Sequence, residues 1–335
     1  MVKIIFMYFI ILFSIFLQAQ NEVCFEIESN PYPNNPALGC FSKYVNVLDC
    51  FDIYAESGVS DDKVLHVAAV AAELLDNNED GVVDDVNIYY SLLTHNALMP
   101  VFSSNWSSCM NEFEDNYNGD GVSAALWRNE IDPSNPGHWG DDATVEEVLH
   151  TINHVGHVNI YPEYFNINPN SSIMSDAMDI ARGGQFLNVP SEYPDEAWYH
   201  YNDWTCDYQC MAIEYMYWCI VSHMGILDDP QTCAGIADEW EPCSPDLFES
   251  TDLIMYDLIT NPILNIPQLA PDGNYCLSEG LAGDVNGDLM VNILDVISTV
   301  NIVLGTAAYN DAADVNGDDE INIIDIISIV NIILA

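Results

Sequence analysis

The chain has 335 residues, half of them apolar, and its 5 basic against 53 acidic side chains give a formal net charge of −48. A surface so acidic repels nucleic acid and anionic membranes, which excludes both as partners, and it suits a medium where salt screens self-repulsion and divalent cations are abundant. The length allows one large domain or two small ones ahead of a small C-terminal module.

The N-terminus reads as an export signal: Lys3, an apolar run over residues 4–17, then Gln18-Ala19-Gln20. The run is shorter than the ~20 residues of a membrane span, so cleavage near residue 20 is expected, with a retained anchor as the alternative. The predicted division is a signal peptide at 1–20, a main domain at 21–280 and a C-terminal module at 281–335. The mature protein is expected to be secreted, with no membrane segment. Its ten cysteines all follow the signal, and an even count in an exported chain predicts up to five disulfides. A thiolate zinc site competes with that reading, but no Cys-x-x-Cys pair is present.

The main domain is expected to be mainly α with minor β. Residues 30–36 form a loop and residues 44–54 alternate as a strand. Ser60 caps a helix over 62–75 whose Val64, Ala68, Ala71 and Leu75 share one face. Asp76, Asn78, Asp80 and Asp84, with Gly81 between them, then place oxygens at loop positions 1, 3, 5 and 9, and a helical pattern resumes over 86–94. The stretch looks like an EF-hand loop and implies a further, weaker calcium site, because Asn87 stands where that family has a bidentate Glu. A plain Asx-rich turn is the alternative, and residues 116–121 echo the pattern as a turn.

Chemistry is expected around residues 142–157. Thr144 with Glu147 three residues on makes a capping box, and Gly156 marks the helix end. Glu147, His150 and His154 then fall on one face, where two imidazoles and a carboxylate can chelate one ion, zinc by default, with His157 closing the site from the loop. Helix-end complementarity or core hydrogen bonding would explain the same histidines without a metal. The stretch loosely resembles the active-site helix of zinc metallopeptidases. It departs from their His-Glu-x-x-His in having Thr151 after His150, or, aligned one turn earlier, Glu146 in the first ligand position with Glu147 as the base.

Residues 171–182 read as a capped helix stopped by Gly183-Gly184. Residues 196–225 concentrate aromatics and end in an apolar helix that carries Glu214. A carboxylate there needs a cation or a donor, which makes Glu214 a candidate ligand; Arg182 or a tyrosine hydroxyl would satisfy it equally. Trp198 and Trp204, and Arg182 as a carboxylate clamp, are candidate substrate contacts, with core packing and a buried ion pair as the plainer readings.

The C-terminal stretch states one pattern twice. Asp284, Asn286, Asp288, Met290 through its carbonyl, Asn292 and Asp295 occupy the oxygen positions of a calcium loop, and Asp314, Asn316, Asp318, Glu320, Asn322 and Asp325 repeat them. Each loop leads into an apolar helix, whose stripes at 293, 296, 297, 300, 303 and 304 and at 323, 326, 327, 330, 333 and 334 are expected to pack together. The duplicated Asp-Val-Asn-Gly-Asp core, Asp at position 12 and the missing entering helix make the segment resemble a type I dockerin. That resemblance implies an EF-hand-type module binding two Ca2+ and docking to a cohesin or another surface protein. The partner-reading positions here are Ile293-Leu294 and Ile323-Ile324.

Together these features lead to the expectation of a calcium-loaded, tethered zinc hydrolase of peptidase type. In it Glu147 is the base, and His150, His154, His157 and Glu214 supply the metal ligands. The alternatives are a polysaccharide-degrading or carbohydrate-binding protein and a non-enzymatic adhesion module.

Overall fold

The computed structural model describes residues 25–275, 283–286, 290–307, 309–316 and 320–333. The signal segment 1–20, Cys24, Cys276, Asp288, Asp318 and Leu334 lie outside the described residues. The described chain is mixed: many helices and one five-stranded sheet with β1 (Glu28–Ser29), β2 (Lys43–Val47), β3 (Phe51–Ala55), β4 (Leu98–Phe102) and β5 (Leu126–Trp127) in spatial order. The first three pair antiparallel and the last two add in parallel.

The single strand expected over 44–54 is a hairpin. Leu48 and Asp49 both take positive φ, which turns the chain so that Val45 pairs with Ile53. Successive side chains on β3 and β4 then sort onto two faces. Ile53, Ala55, Met99 and Val101 enter the main core, while Tyr54, Leu98 and Phe102 join Phe41, Phe113 and Ala37 in a smaller one. The crossover from β3 to β4 is helix α1 (Asp61–Leu75), the acidic loop and helix α2 (Val86–His95). Helix α3 (Ser108–Asn116) is tied to the chain before β2 by the Cys40–Cys109 disulfide.

Helix α4 (Thr144–Ile152) packs against α1 and against α6 (Tyr208–Met224). Before α6, helix α5 (Ile173–Ala181) starts at the Ser172 cap and stops at Gly183, whose φ is +70°, as the sequence predicts. Helix α6 is buried on nearly every side, which explains its all-round apolar sequence. Helices α7 (Pro245–Thr251) and α8 (Leu253–Ile259) cover it.

Two expectations about α4 are corrected. Thr144 is the first helical residue rather than the cap; its hydroxyl donates to Asp142 at 2.7 Å, and no capping box forms with Glu147. Nor does Gly156 end the helix. The chain continues through a π-turn, Asn153–His157, where the Val158 N–H returns to the Asn153 carbonyl five residues back. Gly156 is needed for close approach, since a Cβ there would lie 3.0 Å from Ile88 of α2. The Val155 carbonyl accepts from Ser91 of the same helix at 2.6 Å.

The reading of the cysteines is corrected in part. Cys40–Cys109, Cys206–Cys210 and Cys233–Cys243 are bridged, but Cys50 and Cys219 are free thiols buried in the main core. Burial pushes Cys50 up to about 12 and Cys219 well above the ordinary thiol value, so both stay protonated.

In the C-terminal segment, helices α9 (Ile293–Val303) and α10 (Ile323–Ile333) pack over a small core of Val285, Ala313 and Ile329. The helices pack together as expected, and Val296 of the predicted stripe lies on their small core, but the most buried positions are Asp295 and Thr299, and Asp325 and Ile329. Ile293, Leu294 and Ile297, with their repeats Ile323, Ile324 and Ile327, are left exposed. Among the described residues no helix is long and apolar enough to cross a membrane.

Candidate functional site

Helix α4 presents Glu146, Glu147 and His150 on one side. Among the described residues these form the one group of three His, Cys, Asp or Glu whose ligand atoms all lie within 4.8 Å of one another. Helix α6 brings Glu214 to the same place. Its Oε2 lies 3.3 Å from His150 Nε2, while Glu147 Oε2 lies 3.4 Å from His150 Nδ1. His150 is buried beneath the carboxylates, with the Tyr217 ring edge-on at 5.7 Å. The Tyr201 hydroxyl donates to Glu214 Oε1 at 3.1 Å, so the donor expected for Glu214 is a tyrosine and the imidazole rather than Arg182.

The start of α4 is fixed from below. Asp142 accepts hydrogen bonds from the Asp132 and Gly137 N–H groups and the Thr144 hydroxyl, and it pairs with His66 of α1 at 3.1 Å. Burial alone would raise its pKa, but these donors together lower it, so it stays ionised.

The electrostatics of the cluster are those of crowded carboxylates. Burial, reinforced by Glu214, Glu147 and Glu239 and opposed by His150, pushes Glu146 up to about 8. Burial would depress His150, yet Glu214 and Glu147 hold its pKa well above the usual imidazole range. Glu239 is lifted to about 7 by burial and by Glu214. Carboxylates this close to one imidazole repel each other unless a cation joins them.

His154 and His157 do not join the cluster. The chain over Asn153–His157 is a π-turn, and neither imidazole is among the ligand atoms gathered at Glu146, Glu147 and His150. Instead His157 Nδ1 lies 3.0 Å from Asn153 Oδ1, its ring meets Phe165 edge-on, and burial lowers it to about 4. Burial likewise lowers His154. Arg182 is fully enclosed, donating to the Phe186 carbonyl and lying over the Phe186 and Tyr193 rings, with no carboxylate bridge among the described residues. Trp198 is committed to Asp252 through its indole N–H at 3.1 Å, whereas Trp204 is 84% exposed. Glu239 escaped the sequence reading because it sits in an acidic pair that looks like any solvated turn; a bridge between Tyr199 and Trp240 brings it to the centre.

The acidic loop between α1 and α2 is held by its own side chains. Asp76, fully buried, accepts from the Gly81 N–H and the Tyr275 hydroxyl, each at 2.6 Å, and Asp84 accepts from the Asn77 N–H at 2.9 Å. The position-12 residue Asn87 belongs to the first turn of α2, where its N–H is held by the Asp85 cap.

The described parts of the two C-terminal loops repeat the same hydrogen bonds. Asp295 accepts from Val285, Asn286 and Asn292 N–H groups at 2.8–3.0 Å, and Asp325 accepts from Asn316 and Asn322. Asn292 and Asn322 each cap their helix through Oδ1 and hold the position-7 carbonyl of Met290 or Glu320 through the amide. The loops are joined by the Gly283 N–H to the Ala312 carbonyl and by Asn310 to Val285.

Residues 282–334 match the family model of the dockerin type I domain. The C-terminal segment is thus similar to the calcium-binding module that attaches proteins to cohesins. In this dockerin segment the position-12 carboxylates of Asp295 and Asp325 are fully buried, and carboxylate oxygens are the donors a hard divalent cation takes. Comparison with curated proteins and with solved structures finds no match for the chain.

Proposed function

We propose that the protein is a secreted, dockerin-tethered metal-dependent hydrolase of peptidase type, in which residues 21–280 form the catalytic domain. The observation that carries this reading is the convergence of Glu146, Glu147 and Glu214 on the buried imidazole of His150. Two donors one turn apart on one helix, and a third from a second helix, are the arrangement in which a protein holds a divalent ion with one side open. Glu146, His150 and Glu214 would hold the ion. Zinc is the ion proposed from the imidazole, and manganese is its competitor in a site with two carboxylates.

An ion held there would supply Lewis acidity toward a substrate carbonyl. Glu147 takes the proton of the attacking water and returns it to the leaving nitrogen as the amide C–N bond breaks, leaving a carboxylate and an amine. Tyr201 holds Glu214 in the orientation the ion needs. His154 and His157 have no part in this arrangement, which matches His-Glu-x-x-His with Glu146 in the first ligand position.

In the dockerin module Asp284, Asn286, Asp288, the Met290 carbonyl, Asn292 and Asp295 would hold one calcium, and the repeat from Asp314 to Asp325 a second. The acidic loop with Asp76, Asn78, Asp80 and Asp84 is a weaker third site. The exposed Ile293, Leu294 and Ile297 and their repeats are the surface offered to a cohesin.

Chelator-treated full-length protein, reloaded with calcium alone or with calcium plus zinc or manganese, should cleave an unstructured peptide mixture only when the transition metal is present. Glu147→Gln should abolish cleavage while keeping the metal. Cleavage with calcium alone, or undiminished cleavage by Glu147→Gln, would refute the reading.

A further inference from the structure

Away from the candidate metal centre, a cavity of about 320 Å³ lies between the acidic loop and the segment 260–268. Asn77 and Asp84 line it from the loop, and Asn261 and Asn265 from the segment. Such a volume holds about ten waters and stands at the small end of ligand cavities. It has room for one sugar-sized ring and not for a chain of them.

Two carboxamides in the lining tie its walls together. Asn77 Oδ1 accepts from the Gln268 and Leu269 N–H groups, each at 2.8 Å, and the Asn77 amide donates to the Leu269 carbonyl at 3.0 Å. The Gln268 amide donates to the Ile259 and Ile266 carbonyls at 2.9 and 2.7 Å, and its Oε1 lies 2.9 Å from His223 Nε2. The cavity is therefore held in shape before any ligand enters. Two other carboxamides stay open. Asn261 Oδ1 accepts from the Ile263 N–H at 3.1 Å, and its amide meets no acceptor among the described residues. Asn265 donates to Asp85 at 3.4 Å, and its Oδ1 accepts from none of the described residues. The Asn265 backbone has a φ of +44°, which is uncommon for a residue other than glycine, and local strain of this kind clusters at ligand sites.

Among the described residues the lining holds no Lys, Arg or aromatic side chain. An anion finds no cation there and meets the Asp84 carboxylate, so it is rejected. A carboxamide offers a donor and an acceptor, and a hydroxyl is both at once, so neighbouring hydroxyls match Asn261 and Asn265. The Thr260 hydroxyl donates to the Tyr256 carbonyl at 2.7 Å and keeps its lone pairs for a third. Exposed Pro262 offers apolar surface to ring C–H groups. We propose that this cavity binds one neutral polyhydroxylated ring, a single pyranose unit, independently of the metal centre. The Asn261 amide donates to one hydroxyl of the ring, and Asn265 Oδ1 and Thr260 accept from its neighbours.

The test titrates full-length protein, in calcium throughout, with the methyl α-pyranosides of D-glucose, D-galactose and D-mannose and with D-glucuronate, read by saturation-transfer NMR. At least one methyl pyranoside should bind with a Kd on the order of 1–10 mM, and glucuronate about tenfold more weakly. Asn265→Gly suits the left-handed backbone and removes the amide, and Asn261→Leu removes the open donor. Each should weaken binding about fivefold or more with circular dichroism unchanged, and Asn265→Gly decides if Asn261→Leu fails to fold. Trp106→Ala removes an aromatic that is 92% exposed and outside this lining, and should bind as wild type does. No binding of any of the three pyranosides at ~50 mM, unaltered binding in Asn265→Gly, glucuronate binding as tightly as the pyranosides, or loss of binding in Trp106→Ala would each overturn the proposal.

Discussion

Asp295 closes the first calcium loop on itself: one carboxylate oxygen accepts from the Val285 and Asn286 N–H groups and the other from Asn292. Thirty residues on, Asp325 does the same for the second loop through Asn316 and Asn322. Each carboxylate is buried by its own helix, so loop closure and helix docking are one event. Asp295→Ala should leave those donors unpaired, cost about 1–3 kcal/mol and remove one calcium equivalent by calorimetry. Asp325→Ala should remove the other, and retention of both equivalents in either variant would contradict this account.

The surface proposed for docking is apolar and duplicated. Ile297 and Ile327 are more than half exposed at matching places on α9 and α10. Binding to a cohesin should therefore depend little on salt. Ile297→Asp or Ile327→Asp alone should leave one copy of the surface working, and the double substitution should weaken binding by at least a hundredfold. Surface plasmon resonance across a salt series reads both effects.

Asp142 makes the foundation of α4 sensitive to acid. Its folded pKa lies below that of an ordinary carboxylate, because its donors outweigh burial. The stabilisation it provides is complete above its unfolded pKa and is lost as pH falls through the lower folded value. Asp142→Asn should destabilise the protein by about 1.5–3 kcal/mol at pH 7. The gap from wild type in chemical denaturation should narrow below pH 4, and a constant gap would rule out this origin.

Cys40–Cys109 joins residues 69 apart across the smaller core. Closing a loop of that length stabilises by about 4 kcal/mol on chain-entropy grounds. Cys40→Ala with Cys109→Ala should lower the melting temperature clearly, whereas Cys50→Ala should leave redox behaviour unchanged. Cys50 and Cys219 should react with thiol reagents only on unfolding, as their burial requires; rapid labelling of the native protein would contradict it.

The tail was legible in the sequence because ligand spacing is a local property that a loop either has or lacks. Helix α5 was legible through its cap and its glycine stop, and α1 and α6 through their apolar patterns, although the Ser60 side chain makes no capping hydrogen bond to α1. The hairpin at Leu48-Asp49 was not, since its turn carries no glycine. The histidine helix misled because its π-turn answers to α2, through Ile88 and Ser91, and no local pattern announces it. Glu147, His150 and Glu214, singled out from the sequence, lie side by side in the fold; Glu239 depends on a bridge between residues 41 apart in sequence, Tyr199 and Trp240.

The central claim is that one divalent transition-metal ion sits among Glu146, His150 and Glu214, and elemental mass spectrometry of the full-length protein tests it most directly. Protein equilibrated with zinc and excess calcium, then desalted, should hold one zinc per chain, falling below a tenth in His150→Ala and in Glu214→Gln but unchanged in His154→Ala. No zinc or manganese in the wild type, or zinc that depends on His154 and not on Glu214, would contradict the account.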